Sequence, residues 1–301
     1  MSPDVITIPA VMQFDEVAPK KSLAQKSVDL VRKQPLGTFG LGIVVVMLVT
    51  AVLAEYISPY NPVQENFAAM FAPPGTDGHL FGTDEFGRDI LTRLIYGSRT
   101  ALLVGFVCAL VGSSIGLVIG VASAYFSGVV DLILQRILDV FMAFPLIILA
   151  LAVVATLGTG IQNVMIAIIL VFVPRCARVV RSNALAIREI PYVDAARALG
   201  FSHMRIILRH MVPNVMAPYL IMATTFLGQA ILLEASLSFL GLGVQDPIPA
   251  WGLMLTNASE YFEAAPWLAI YPGVAISLSV FGFNLFGDAV RDTLDPKLRS
   301  R

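Results

Sequence analysis

Charge-free apolar runs constrain this chain more than any other feature. A membrane-crossing helix needs roughly 20 predominantly apolar residues at about 1.5 Å rise each. Such runs occupy residues 36–54, 100–126, 140–174, 211–233 and 264–287. The third is long enough for two crossings if the chain turns at Gly158-Thr159-Gly160, which makes six spans. Composition agrees: of 301 residues, 57% are hydrophobic and only 14% charged, with a mean hydropathy of +0.79. An ordinary soluble domain is neither so apolar nor so poor in charge. The expected fold class is therefore an all-α membrane protein.

The first run follows a polar stretch and lacks a small-residue cleavage site after a short apolar core, so it reads as a retained anchor rather than a secretory signal. Expected spans are 36–57, about 100–126, 137–157, 161–180, 214–236 and 265–287. Residues 1–35 form a polar tail, with a short amphipathic helix expected at 27–33. Residues 58–99 form an outer loop whose "SPYNP" and "APPGTDG" turn chemistry excludes long helices. Residues 289–301 form a second tail.

Loops rich in Lys and Arg stay on the cytoplasmic side. All but Arg88, Arg93 and Arg99 of the 20 basic residues fall in the two tails and the connections on that same side. Both termini are thus expected in the cytoplasm. The net charge of −1 conceals this asymmetry and gives no sign of a nucleic-acid partner. Cys108 lies inside a span and Cys176 near the cytoplasmic end of another, an arrangement suited to neither a disulfide nor a metal site.

Within the second span Gly112, Gly116 and Gly120 form a doubled GxxxG, one face on which another helix can approach closely. That helix belongs either to this subunit or to a second one. Pro145 and Pro174 interrupt apolar runs and are expected to kink them. Glu234 is a carboxylate well inside a span, where a charge costs about 2.5–3.5 kcal/mol on insertion scales. It should face water in a cavity or pair with an arginine or a polar group of a partner. Gln229 and Asn284 are candidates for the same cavity. His79 is expected to be solvated in the outer loop, Asp131 and Asp139 to be interfacial charges, and Trp251 and Trp267 to anchor at the membrane surface.

Residues 184–213 are too polar to span and too long for an inert connector, for which a few residues suffice. Pro191 suits the first turn of a helix, and Asp194 lies near its positive end. Gly200 is placed to stop that helix, and Ser202 to cap a second one running to Val212, where Pro213 disfavours continuation. A DNA-binding reading fails because a motif tethered by spans at both ends can hardly enter a major groove. Positive-inside charge on a passive connector is one reading, and a docking element for a cytoplasmic protein is the other. Ala195, Ala196 and Ala198 make the first helix slim enough for a partner to grip.

The pattern Asp194-Ala195-Ala196, then Gly200, then Pro213 resembles the EAA loop of ABC-importer permeases, departing from it at Asp194, His210 and Val212. "FGTDEFGRDILTRLIYGSRTALL", "LLEASLSFLGLG" with "PAWGLML", and "NLFGDAVRDTLDPKL" are similar to the second permease subunit of dipeptide and oligopeptide importers. This resemblance implies a type I importer fold over 97–288, with Asp194, Ala195, Ala196, Gly200 and Pro213 coupling it to an ATPase. It also implies a homologous second permease, two cytoplasmic ATP-binding subunits and an external binding protein as partners, besides membrane lipid. No cofactor is expected on this chain, ATP and Mg being expected on the partners; no phosphate loop of the GxxxxGK type occurs. Nickel, opine, glutathione or oligosaccharide cargo fits the same architecture. A self-contained secondary transporter would call for inverted repeats or intramembrane charge pairs.

Overall fold

The computed structural model describes residues 34–76 and 78–294. The amphipathic helix expected at 27–33 and the basic residues Lys297, Arg299 and Arg301 lie outside the described residues. Among the described residues nine longer helices carry the architecture: α1 (Pro35–Val52), α2 (Ile90–Phe126), α3 (Gly128–Met142), α4 (Leu146–Leu157), α5 (Ile161–Arg188), α6 (Pro191–Ala198), α7 (His203–Phe239), α8 (Trp251–Glu260) and α9 (Trp267–Leu294). Five of them, α1, α2, α5, α7 and α9, are long and apolar enough to cross a membrane; α3 and α4 together make a sixth crossing if that bent pair is one span.

The helices gather their ends into two groups. At one end, here called the cap end, lie residues 53–76 and 78–89 and the α7–α8 and α8–α9 connections, joined by bonds such as Trp267 Nε1 to the Thr83 carbonyl. At the other, the loop end, lie the start of α1, the α2–α3 turn, α6 and the last turns of α9, tied by bonds such as Arg188 Nη1 to the Ala124 carbonyl.

Helix α2 begins at Ile90 rather than Thr100 because its early charges are neutralised locally. The Asp89 carboxylate caps it by accepting from Thr92 N–H at 2.8 Å. Arg99 reaches the end of α1, donating to the Ala51 carbonyl at 2.6 Å and pairing with Glu55 at 3.0 Å. It thereby satisfies one of the carbonyls that the last turn of a helix leaves free.

In the second half of α2, the glycine face meets α5 in the same chain. A Cβ on Gly116 would stand 2.6 Å from Cys176 Cβ, and one on Gly120 would stand 2.6 Å from the Ala177 carbonyl oxygen. Gly112 lies against Phe172, whose ring stacks on Phe226 of α7 at 4.1 Å between centroids. The core of the bundle is built around this three-helix contact, with Cys108 and Cys176 both buried as free thiols.

The third span differs from the single stretch expected at 137–157. It is broken by about a right angle, 90°, between α3 and α4. Pro145 sits at the break, and the residue before a proline is driven out of the helical region. Asp131 and Asp139 are not loose interfacial charges. Asp131 accepts from Arg181 Nε at 2.6 Å and from Ser123, while Asp139 pairs with Arg178, so the polar side of α3 is held to α5 and α2.

Helix α8 had no counterpart among the expected elements. Trp251 at its start is 5% exposed and is packed on Gly97, with its indole N–H donating to the Leu94 carbonyl at 3.0 Å. Trp267 donates to Thr83 at 3.4 Å. Both tryptophans therefore join elements at the cap end.

Candidate functional site

At the loop end the polar segment folds into two arms. The first is α6. Val193 and Ala196 turn inward and are buried, whereas Asp194, Ala195, Ala198 and Leu199, the last 74% exposed, face outward. Gly200 ends the arm in the left-handed region, φ +75°. Its N–H donates to the Arg197 carbonyl at 2.9 Å, and Phe201 N–H to the Ala196 carbonyl at 3.2 Å. This pair of bonds is the Schellman arrangement, which glycine adopts without a Cβ penalty.

The second arm starts at Ser202, whose hydroxyl accepts from Arg205 N–H at 3.4 Å. It does not stop at Val212. After one α-helical turn, His203–Ile206, the chain widens into a π-helical segment, Ile207–Met211. It then tightens to a 3₁₀ turn, Val212–Val215, and continues as regular helix from Met216. Pro213 brings no N–H to the ladder, and the wide and tight turns absorb that loss without ending the helix.

The His210 carbonyl, left out of regular pairing there, accepts from Tyr192 Oη at 2.9 Å and from Asn214 Nδ2 at 2.7 Å. Tyr192 belongs to α6, so these bonds brace one arm against the other. The departure at His210 thus falls where the backbone is the working part, with the imidazole stacked near Phe201 at 6.1 Å.

The three polar candidates inside the spans are not brought together. Glu234 is 2% exposed and accepts from Ser238 Oγ at 2.7 Å; among the described residues it has no ion-pair partner. Ser238 Oγ in turn accepts from Val244 N–H at 3.2 Å. These bonds tie Glu234 to the turn that closes α7, and among the described residues no arginine pairs with it. Gln229 is half-buried on another side of α7, and its Oε1 has no partner. Asn284 is exposed on α9, with its Oδ1 beside Gly228. Gln229, Ser236 and Leu240 recur on one side of α7, where Leu232, Phe239, Ile147 and Ile276 line an apolar groove of about 450 Å³.

The cap end holds a charge cluster built around Arg88 and Arg93. Arg88 is 3% exposed and pairs with Asp84 at 2.7 Å and Asp246 at 2.9 Å; Arg93, 1% exposed, reaches Asp246 at 3.4 Å. Burial, with Asp84 beside it, holds the Glu85 carboxyl above its usual range. His79 is not solvated. It is buried, with Nδ1 2.9 Å from Asp89 Oδ1 and its ring 4.6 Å from that of Tyr60. Its neighbours are Asp89 and Tyr60, ten and more residues away, which a lone histidine in a loop does not reveal.

A bundle of apolar spans, folded at one end around buried charges and at the other into a two-armed polar loop, defines a multi-spanning membrane protein. Residues 112–300 match the family described as binding-protein-dependent transport system inner membrane component, and residues 22–74 match the N-terminal transmembrane domain of oligopeptide transport permease C. The chain belongs to the binding-protein-dependent transport system inner membrane component family.

It is 44% identical over 260 residues to a putative peptide transport system permease protein of Brucella suis, covering 86% of this chain and 87% of the relative. It is 39% identical over 300 residues to a dipeptide transport system permease protein of Alkalihalophilus pseudofirmus, covering 100% and 97%. With a glutathione transport system permease protein of Pectobacterium atrosepticum the identity is 40% over 257 residues, covering 85% of each. Among solved structures, an inward-facing methionine ABC transporter shares the fold at a TM-score of 0.56 and 20% identity, covering 68% of this chain and 98% of that one.

Proposed function

We propose that this chain is the permease subunit of an ATP-driven ABC importer and forms part of the path for short peptides handed over by an external binding protein. The observation that carries the reading is the loop end: α6 keeps Asp194, Ala195 and Leu199 exposed on a helix stopped by Gly200, which is the form of a docking element. The names of the Brucella and Alkalihalophilus relatives support peptide cargo. The glutathione permease relative supports a second reading in which the cargo is that tripeptide.

In this assembly the chain binds no cofactor. Two cytoplasmic ATP-binding subunits hold ATP and Mg, a related but different permease completes the path, and the loop end and both termini face the cytoplasm. Closing of the ATPases on nucleotide draws in the docking helices, and the spans rock to open the path on the other side.

Reconstitution with these partners and a labelled dipeptide tests the proposal. Wild type should import the dipeptide only with ATP, and excess glutathione should compete if it is the cargo. Asp194→Lys and Gly200→Pro should insert into the membrane yet lose uptake, the second because proline fixes φ near −65° where the chain needs +75°. Normal uptake and ATPase association in both variants would refute the docking role.

A further inference from the structure

We propose that Tyr125 and His203 are positioning residues that latch the two-armed loop to the end of α2, so that a push on α6 moves the spans instead of bending the loop. The inference rests on the importer reading given above.

The weak point of the loop is Gly200. Nothing stands within 4 Å of where its Cβ would be, so no packing supports the turn at that point, and the arms are held by contacts on either side of it, the Tyr192 bonds to the second arm among them. One side chain from outside the loop touches both arms. Tyr125, in the last turn of α2 and 5% exposed, places its ring 5.3 Å below the Arg197 guanidinium of the first arm. Its hydroxyl lies 2.7 Å from His203 Nδ1 in the first turn of the second arm, donating to that nitrogen in the Nε2–H tautomer and accepting from it in the Nδ1–H tautomer. Phe126 closes the same corner, its ring 6.0 Å from that of His203.

The end of α2 suits this position electrostatically. The last turn of a helix carries free carbonyls and the negative pole of its dipole, which attract cations. Arg188 accordingly donates to the Ala124 carbonyl at 3.2 Å, and Arg197 lies over the neighbouring ring. Arg197 also pairs with Asp194 at 3.2 Å, so the exposed carboxylate of the docking helix connects through Arg197 to Tyr125. The contact chain runs Asp194, Arg197, Tyr125, His203, and spans Gly200 without using the backbone there.

Without the hydroxyl the ring and its packing remain, but the two arms are no longer held to each other through α2. ATP hydrolysis would then proceed while part of the displacement is lost at Gly200. The test is the ATP hydrolysed per peptide imported by the full importer in proteoliposomes with its binding protein. Tyr125→Phe and His203→Ala should assemble normally and raise this ratio about fivefold or more, the size of a modest allosteric coupling. His203→Asn, which returns an acceptor near the position of Nδ1, should restore it towards wild type.

An unchanged ratio in Tyr125→Phe and His203→Ala would overturn the latch while leaving the importer reading intact. Import that falls only in step with loss of assembled complex would overturn it too, since that is what a merely structural pair would give. No ATP-dependent import by the wild-type assembly would overturn the function itself and the latch with it.

Discussion

Arg88 and Arg93 sit almost without solvent contact in a shell of carboxylates from Asp84, Glu85 and Asp246. Removing one partner of a buried ion pair leaves the other charge uncompensated, at a cost of about 3–5 kcal/mol. Arg88→Met is therefore expected to lower the thermal stability of the detergent-solubilised protein sharply. Asp246→Asn should cost less, because Asp246 is still 41% exposed and water can replace what it loses. A melting curve for each variant checks the order; equal shifts would show that exposure does not govern the cluster. The sequence puts Asp84, Glu85 and Arg88 close together but cannot supply Asp246, which lies 158 residues beyond Arg88. The same holds for His79 and Glu234, whose bonds to Asp89 and Ser238 their residue types alone do not announce.

At the level of helices, apolar runs located the spans because hydrocarbon imposes length and composition directly. They did not locate ends or bends. Helix α2 starts before its apolar run because Arg93 and Arg99 find partners that no hydropathy pattern encodes. The α3–α4 break was signalled by Pro145, although the size of the bend depends on how Asp131 and Asp139 hold α3 to its neighbours. Helix α8 escaped notice because ten residues with one buried tryptophan are too few to show a period. The glycines at 112, 116 and 120 were conspicuous, but which helix they meet is a tertiary fact. Gly116→Val should prevent the approach of α2 to α5, since its branched side chain would overlap Cys176, and should sharply reduce the folded yield. Gly42→Ala in α1, with open space around it, should instead be neutral or stabilise by up to about 1 kcal/mol. Similar losses in both would show that backbone propensity, and not contact, sets the cost.

For the whole molecule, the two ends are chemically distinct, and orientation follows from which end holds the basic loop. With Cys108 and Cys176 both buried, single cysteines can be introduced against a quiet background. Glu65→Cys at the cap end should react with an impermeant maleimide on intact cells, and Leu199→Cys only after the membrane is opened. The reverse pattern would invert the topology and remove the docking role of α6. Between these ends runs α2, whose first residue follows the charge cluster and whose last turn lies under the loop. Its 37 residues give it a length of about 55 Å, well beyond the roughly 30 Å of hydrocarbon it crosses. If it pivots on the glycine ridge, centred on Gly116 about 39 Å from its first residue and about 15 Å from its last, a tilt of about 5° shifts the two tips by about 3.4 Å and about 1.3 Å in opposite directions. The helix then works as a seesaw, and a push too small to disturb packing at the fulcrum is large enough at either tip to make or break a hydrogen bond.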